Sequence, residues 1–183
     1  MDTYQHKDLI EACKRNERQA QYKLYRLYSD AMFNICLRML KNEMDAEDVM
    51  QNSFITVFRK LDSFRYDSTI GAWIKRIMIN NCINFLKKKR LNFEELNENI
   101  NQPVIQDHEE IKSQRLNTAD VNRALMSLPD GYRVVFSLYL LEGYDHKEIA
   151  GILDISEATS KSQYSRAKKK MKEILTSPQF ELS

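Results

Sequence analysis

DHKEIAGILDISEATSKSQYSRAKKKMKEIL, residues 145–175, holds two helical patterns separated by a short turn. Ile149, Ala150, Leu153 and Ile155 recur at helical spacing up to the break. A second helix then runs from about Ser156 to Leu175 and is strongly basic on its outer side. Two helices at a steep angle, joined by a turn of about three or four residues, form a helix-turn-helix, which lays its second helix in a DNA major groove. Ala150 suits the point where two helix backbones approach closely. Asp154 falls at the turn, where a left-handed backbone is expected and Asp is one of the few residues besides Gly to tolerate it. Ser156 is the expected cap of the second helix, its oxygen free to accept a backbone N–H. An ordinary helical hairpin with a solvated basic face has the same pattern, so the surroundings must decide.

Working outward, the 183-residue chain has only four Gly and three Pro, which points to an almost wholly helical protein. The formal charge of +2 says little about partners, but its distribution does. Lys75, Arg76, Lys87, Lys88, Lys89 and Arg90 form one cationic block. Lys161, Arg166, Lys168, Lys169, Lys170 and Lys172 form another. Between them lie Glu94, Glu95, Glu98, Asp107, Glu109 and Glu110, with no base from 91 to 110. Two basic blocks separated by an acidic spacer suit two phosphate-contacting surfaces.

The N-terminal stretch MDTYQHKDLIEACKRNERQ is polar throughout and does not read as a signal peptide. No apolar run approaches the length of about eighteen residues that a membrane span needs. Cys13, Cys36 and Cys82 lack metal-ligand or redox spacing and read as small, reduced core residues of a cytoplasmic protein.

Four helices are expected in the first ninety residues: about 7–16, 18–41, a third opening at DAED, and a fourth from near Thr69. The second carries the stripe Leu24, Leu27, Tyr28, Ala31, Ile35 and Met39. In the third, Asp45 is the expected cap, with Asp48 completing a box-like start. Its inward stripe is Ala46, Val49, Met50, Phe54, Val57, Phe58 and Leu61. The fourth repeats Ile70, Trp73, Ile74, Ile77, Met78, Phe85 and Leu86, which puts Trp73 in the core. From about Asn92 to Thr118 the pattern lapses into Asn, acids and Pro103, as a linker would. Periodicity resumes with Val121, Ala124, Leu125 and Leu128. LPDG then starts a helix through Val134, Val135, Leu138 and Leu141 that Gly143 ends. The expected architecture is all-α: two small helical domains, 1–91 and 119–183, joined by an acidic linker at 92–118.

Two runs carry a resemblance. The first is DAEDVMQNSFITVFRKLDSFRYDSTIGAWIKRIMINNCINFLKKKR. The second is ALMSLPDGYRVVFSLYLLEGYDHKEIAGILDIS with TSKSQYSRAKKKM. In this order across a linker they resemble the extracytoplasmic-function (ECF) group of bacterial sigma factors, from about residue 5 to 176. Gln51, Phe64 and the Trp73–Ile74–Ile77–Asn80 spacing fall where that group has such residues. Ser160 stands where it is usually apolar, Gln163 where Arg is frequent, and Asn84 where Asp is common.

The resemblance implies a division of labour. The third helix would dock on the clamp helices of the polymerase largest subunit through Glu47, Asp48, Gln51, Asn52 and Arg59. Residues 1–91 would be the unit that binds core polymerase and melts the minus-ten element. Its opened strand would meet a base-capturing loop, Phe64, Arg65, Tyr66, Asp67 and Ser68, and the backbone-tracking Lys75, Arg76, Asn80, Asn84 and Lys87. The second unit would read the minus-thirty-five duplex, and the polymerase flap would be a further contact of the chain. Its recognition helix would present Glu157, Ala158, Thr159, Lys161, Ser162, Gln163, Arg166, Lys168 and Lys169. Gln163 would then bear on base preference, since Gln reads adenine and Arg guanine. Tyr164, Ala167, Met171 and Ile174 would be the buried stripe of that helix.

The implied partners are core RNA polymerase, promoter DNA and an anti-sigma factor, without membrane insertion, cofactor or metal. A stand-alone helix-turn-helix regulator on a duplex operator is the competing reading. An enzyme is disfavoured because His6, His108 and His146 are scattered and the acids sit on solvent faces or in the linker.

Overall fold

A computed structural model describes residues 6–89 and 118–177. The chain divides into two compact units, Met1–Lys89 and Arg90–Ser183, and among the described residues both are helical without strands. The expected linker, and Arg90 with it, lie outside the described residues.

The N-terminal unit contains α1 (Lys7–Lys14), α2 (Arg18–Leu40), α3 (Glu43–Lys60), a 3₁₀ turn (Leu61–Ser63) and α4 (Ile70–Lys88). Helix α2 packs on α1, α3 and α4, and α3 packs on α4. Ile10, Leu24, Met39, Val57, Ile74, Met78 and Ile79 are among the side chains sealed inside. Each such burial stabilises the unit by about 1.5–3 kcal/mol. Gly71 lets α4 start close to α2: a Cβ there would meet the Tyr28 ring at 2.9 Å.

Helix α3 starts three residues earlier than a cap at Asp45 would place it. Asn42, not Asp45, is the cap: its side-chain oxygen accepts the Asp45 N–H at 2.9 Å. Asp45 instead sits in the first turn, where its charge favours the helix dipole and its carboxylate pairs with Lys89 at 2.6 Å. Helix α2 is also rotated from the expected stripe. Leu24, Ile35 and Met39 are buried, but Leu27 and Ala31 face out while Ala20, Met32, Cys36 and Leu40 turn in. With neighbours on three sides, this helix buries a wider face than a single stripe. All three cysteines are free and buried. Cys36 hydrogen-bonds Cys82 across α2 and α4, which pushes the Cys82 thiol well up, with burial acting in the same direction.

The C-terminal unit contains α5 (Thr118–Ser127), α6 (Asp130–Phe136), a π turn (Ser137–Leu141), α7 (His146–Leu153) and α8 (Glu157–Leu175). Helix α8 packs against α5, α6 and α7. Ala124, Leu125, Leu128, Phe136, Ala167 and Met171 form its core. Arg133 is fully buried and donates to Asp130 at 2.7 Å and to the Leu128 carbonyl at 3.1 Å. The π turn closes through Glu142 N–H to Ser137 O at 3.0 Å. That extra residue swings Leu140 and Leu141 out to solvent, so Leu141 is not the inward residue its spacing suggests.

Candidate nucleic-acid and polymerase interfaces

The solvent face of α3 opposes Ala46, Val49, Met50, Ser53, Phe54 and Val57. Glu47, Asp48, Gln51, Asn52 and Arg59 are all exposed on it. The Gln51 amide donates to the Glu47 carboxylate at 3.2 Å, and the Asn52 amide to the Asp48 carbonyl at 2.9 Å. Two apolar side chains that the sequence reading passed over share this surface: Met44 is 78% exposed and Ile55 55%. Met44, Asp48, Gln51 and Ile55 follow helical spacing along one line. That spacing was the available signal. Polar groups with apolar anchors at both ends suit a protein contact.

The loop from Phe64 to Thr69 departs from expectation at its first residue. Phe64 is only 3% exposed, with its ring 5.5 Å from that of Trp73 and 4.8 Å from that of Tyr66. It forms the floor of the loop and cannot take a base, because its faces are already covered by apolar neighbours. Trp73 is half-buried above it. Arg65 and Asp67 are the exposed side chains; Tyr66 and Ser68 are half-buried. Tyr66 adopts a left-handed φ of 62°. Its hydroxyl donates to Glu11 at 2.6 Å. Lys14 bonds the same carboxylate at 3.1 Å, reaches the Phe64 carbonyl at 3.5 Å, and sits 5.1 Å from the Tyr66 ring centre. The Tyr66 hydroxyl, then Lys14, hold the Glu11 carboxyl below its usual range. Burial and then the Glu11 contact raise the Tyr66 phenol.

Thr69 ends the loop by capping α4, accepting the Ala72 N–H at 3.2 Å. Along α4, Arg76, Asn80, Asn84 and Lys87 follow each other down one exposed face, and Lys75 is half-buried beside them. Asn81 instead turns inward and donates to Ser53 at 2.8 Å.

In the second unit the turn chemistry agrees with expectation. Asp154 is left-handed at φ 62°, and Ser156 accepts the Thr159 N–H at 2.9 Å. Asp145 and Glu148 form a reciprocal capping box at the start of α7, a D-x-x-E signal legible in the sequence but not used. On α8, Glu157, Ala158, Lys161, Lys168 and Lys169 are exposed, and Thr159, Ser162 and Arg166 are half-buried. Lys161 pairs with Glu157 at 2.6 Å and lowers its carboxyl pKa.

Gln163 is not on the reading face: it is 0% exposed, as is Ser160. Ser160, Gln163, Ala167 and Met171 make one buried stripe at helical spacing. Sealed inside, Gln163 does not reach a base edge, contrary to the expectation that it bears on base preference. Ser165, half-buried like Ser162 and Arg166, follows Ala158, Lys161 and Ser162 at helical spacing on the side away from that stripe. The polar Ser160 is satisfied inside by His146 Nδ1 at 2.9 Å. The His146 ring stacks on Tyr139 at 4.3 Å and meets Tyr164 edge-on at 5.7 Å. Tyr164 packs on Phe136, as expected of a core-side residue.

Comparison with known proteins supplies the frame. Residues 24–91 match the Sigma-70 region 2 family model and residues 118–171 the Sigma-70, region 4 model. The ECF RNA polymerase sigma-E factor of Salmonella typhimurium is 30% identical over 176 residues, covering 87% of this chain and 88% of its own. The ECF sigma factor SigW of Bacillus subtilis is 26% identical, covering 92% and 96%. In fold, the chain is similar to the sigma factor RpoE of Bartonella quintana, solved with the anti-sigma factor NepR. There the TM-score is 0.55 at 22% identity, over 86% of this chain and 97% of that one. Two sigma-70 region matches in order, with an ECF relative covered over most of its length, establish that this chain belongs to the ECF group of the sigma-70 family of RNA polymerase sigma factors.

Proposed function

We propose that α3 docks this sigma factor on the clamp helices of core RNA polymerase, that loop 64–69 and α4 hold the opened promoter strand, and that α8 reads the upstream duplex. The second unit would also touch the polymerase flap. The observation that carries the reading is the pair of cationic faces on separate units, built differently. The face on α4 follows a loop with outward Arg65 and Asp67, whereas α8 presents small side chains, Ala158, Ser162 and Ser165, among lysines. Small side chains let a helix approach base edges while Lys161, Arg166, Lys168 and Lys169 meet phosphates. Unpairing a base costs a few kcal/mol, which pocket and backbone contacts at the loop and α4 would offset.

The chain would form and break no bonds itself and would need no metal or cofactor. Its site of action would be the cytoplasm, where core polymerase works; among the described residues no helix is long and apolar enough to cross a membrane. An anti-sigma factor is a proposed partner, by analogy with the RpoE–NepR pair.

The test is run-off transcription with purified core polymerase over a promoter library. Start-site-specific transcripts that require this chain are expected. Sequence-specific duplex binding without polymerase, and no stimulation of transcription with it, would overturn the proposal in favour of an operator-binding regulator.

A further inference from the structure

Helix α1 lies outside the span matched by the region 2 model, which begins at residue 24. It is nonetheless fixed firmly in the unit, since Ile10 and Cys13 are buried beneath it. This sets Glu11 and Lys14, one turn apart and half-buried beside that stripe, against the loop. There Glu11 receives two donors, the Tyr66 hydroxyl and the Lys14 ammonium, and Lys14 also reaches the loop backbone at Phe64. Tyr66 is a bulky residue in a left-handed conformation that bulky residues rarely adopt without outside support. The support comes from 55 positions away in the chain.

We infer that Glu11 and Lys14 are positioning residues for promoter opening: they lock Tyr66 and so present Arg65 and Asp67 to the melted strand. The inference rests on the proposal that this loop holds that strand. A loop locked before DNA arrives pays no ordering entropy when a base enters. Without the lock, only the fraction of molecules with Tyr66 in place is competent, and apparent affinity for the open strand falls by that fraction. If the locked population drops to about a tenth, opening falls about tenfold.

The experiment uses the full chain with core polymerase on a promoter selected from the run-off library, as duplex and with a premelted bubble. Permanganate reactivity of melted thymines reports opening. Glu11→Ala and Tyr66→Phe are each expected to reduce opening on the duplex about tenfold, the double variant no more than either, because they remove one shared contact. Run-off transcription from the bubble, where the thymines are already unpaired, should recover most of the loss, and thermal unfolding followed by Trp73 fluorescence should shift little. Arg65→Ala/Asp67→Ala, which alters the loop directly, is the companion variant. If it impairs opening while Glu11→Ala does not, the positioning role is overturned and the loop assignment stands. If neither impairs opening, the loop assignment fails and takes the inference with it. If Glu11→Ala loses as much on the bubble as on the duplex, Glu11 only maintains the fold and the inference is wrong.

Discussion

Replacing His146 with Phe would leave an aromatic ring of similar size against Tyr139 and Tyr164, but would remove the nitrogen that pairs with Ser160 at 2.9 Å. Ser160 is fully buried, so its hydroxyl would be stranded beneath the recognition helix. Stranding a buried hydroxyl costs about 1–3 kcal/mol, whereas removing both partners of a hydrogen bond is nearly neutral. The expected order is therefore His146→Phe least stable by about 2 kcal/mol, Ser160→Ala milder because half-buried His146 can turn to water, and the double variant close to the unaltered protein. Trp73, the one tryptophan, belongs to the N-terminal unit. Hydrogen exchange of the α7 and α8 amides is the suitable measurement. Burial and then Lys161 lower the His146 pKa, so the folded unit binds fewer protons than the unfolded chain just below the ordinary value of 6.5. The stability tied to neutral His146 is complete above 6.5 and is lost as pH falls from 6.5 towards the lower folded value. His146→Phe should abolish that loss. Additive single effects, or an unchanged acid response, would refute the claim that this pair holds α8 in place.

Gln163→Ala should destabilise the second unit by about 1–3 kcal/mol and leave base preference intact, as promoter-library selection would reveal. Lys161→Ala/Arg166→Ala should weaken duplex binding with a salt slope shallower by about two, measured by anisotropy across ionic strengths. Asn80→Ala/Lys87→Ala should instead spare closed-complex binding and reduce permanganate reactivity, with a premelted bubble restoring transcription. Asp48→Ala/Gln51→Ala should lower affinity for core polymerase without unfolding, and Met44→Ala/Ile55→Ala should each cost at least about fivefold if they are buried anchors; surface plasmon resonance on immobilised core would show it.

Local chemistry made much of the architecture legible. Asp154 at the turn and Ser156 at the cap need only the shape of their own few residues, and both stand as read. The apolar spacing of α3 likewise placed its inner and outer faces by helix period, whereas α4 is rotated from its expected stripe: Trp73, Ile77 and Phe85 are only half-buried, while Ile79, Cys82 and Ile83 are sealed in. Errors arose where one stretch permitted two local solutions. Asn42 and Asp45 are both good caps, and the α8 pattern allows a buried face through Tyr164 alone or one that takes in Ser160 and Gln163. Packing against α6 and α7 selected the second.

What the sequence by itself determined is an all-helical chain with a helix-turn-helix and two basic blocks, since helix period, capping and charge are properties of neighbours along the chain. Only the tertiary structure decided which polar residues face outward and which are paired within. Phe64 became a floor, Ser160 found His146, and Glu11 met Tyr66 across 55 residues. No spacing encodes such meetings: they depend on how the helices come to lie, and each side chain's role follows from what it then touches.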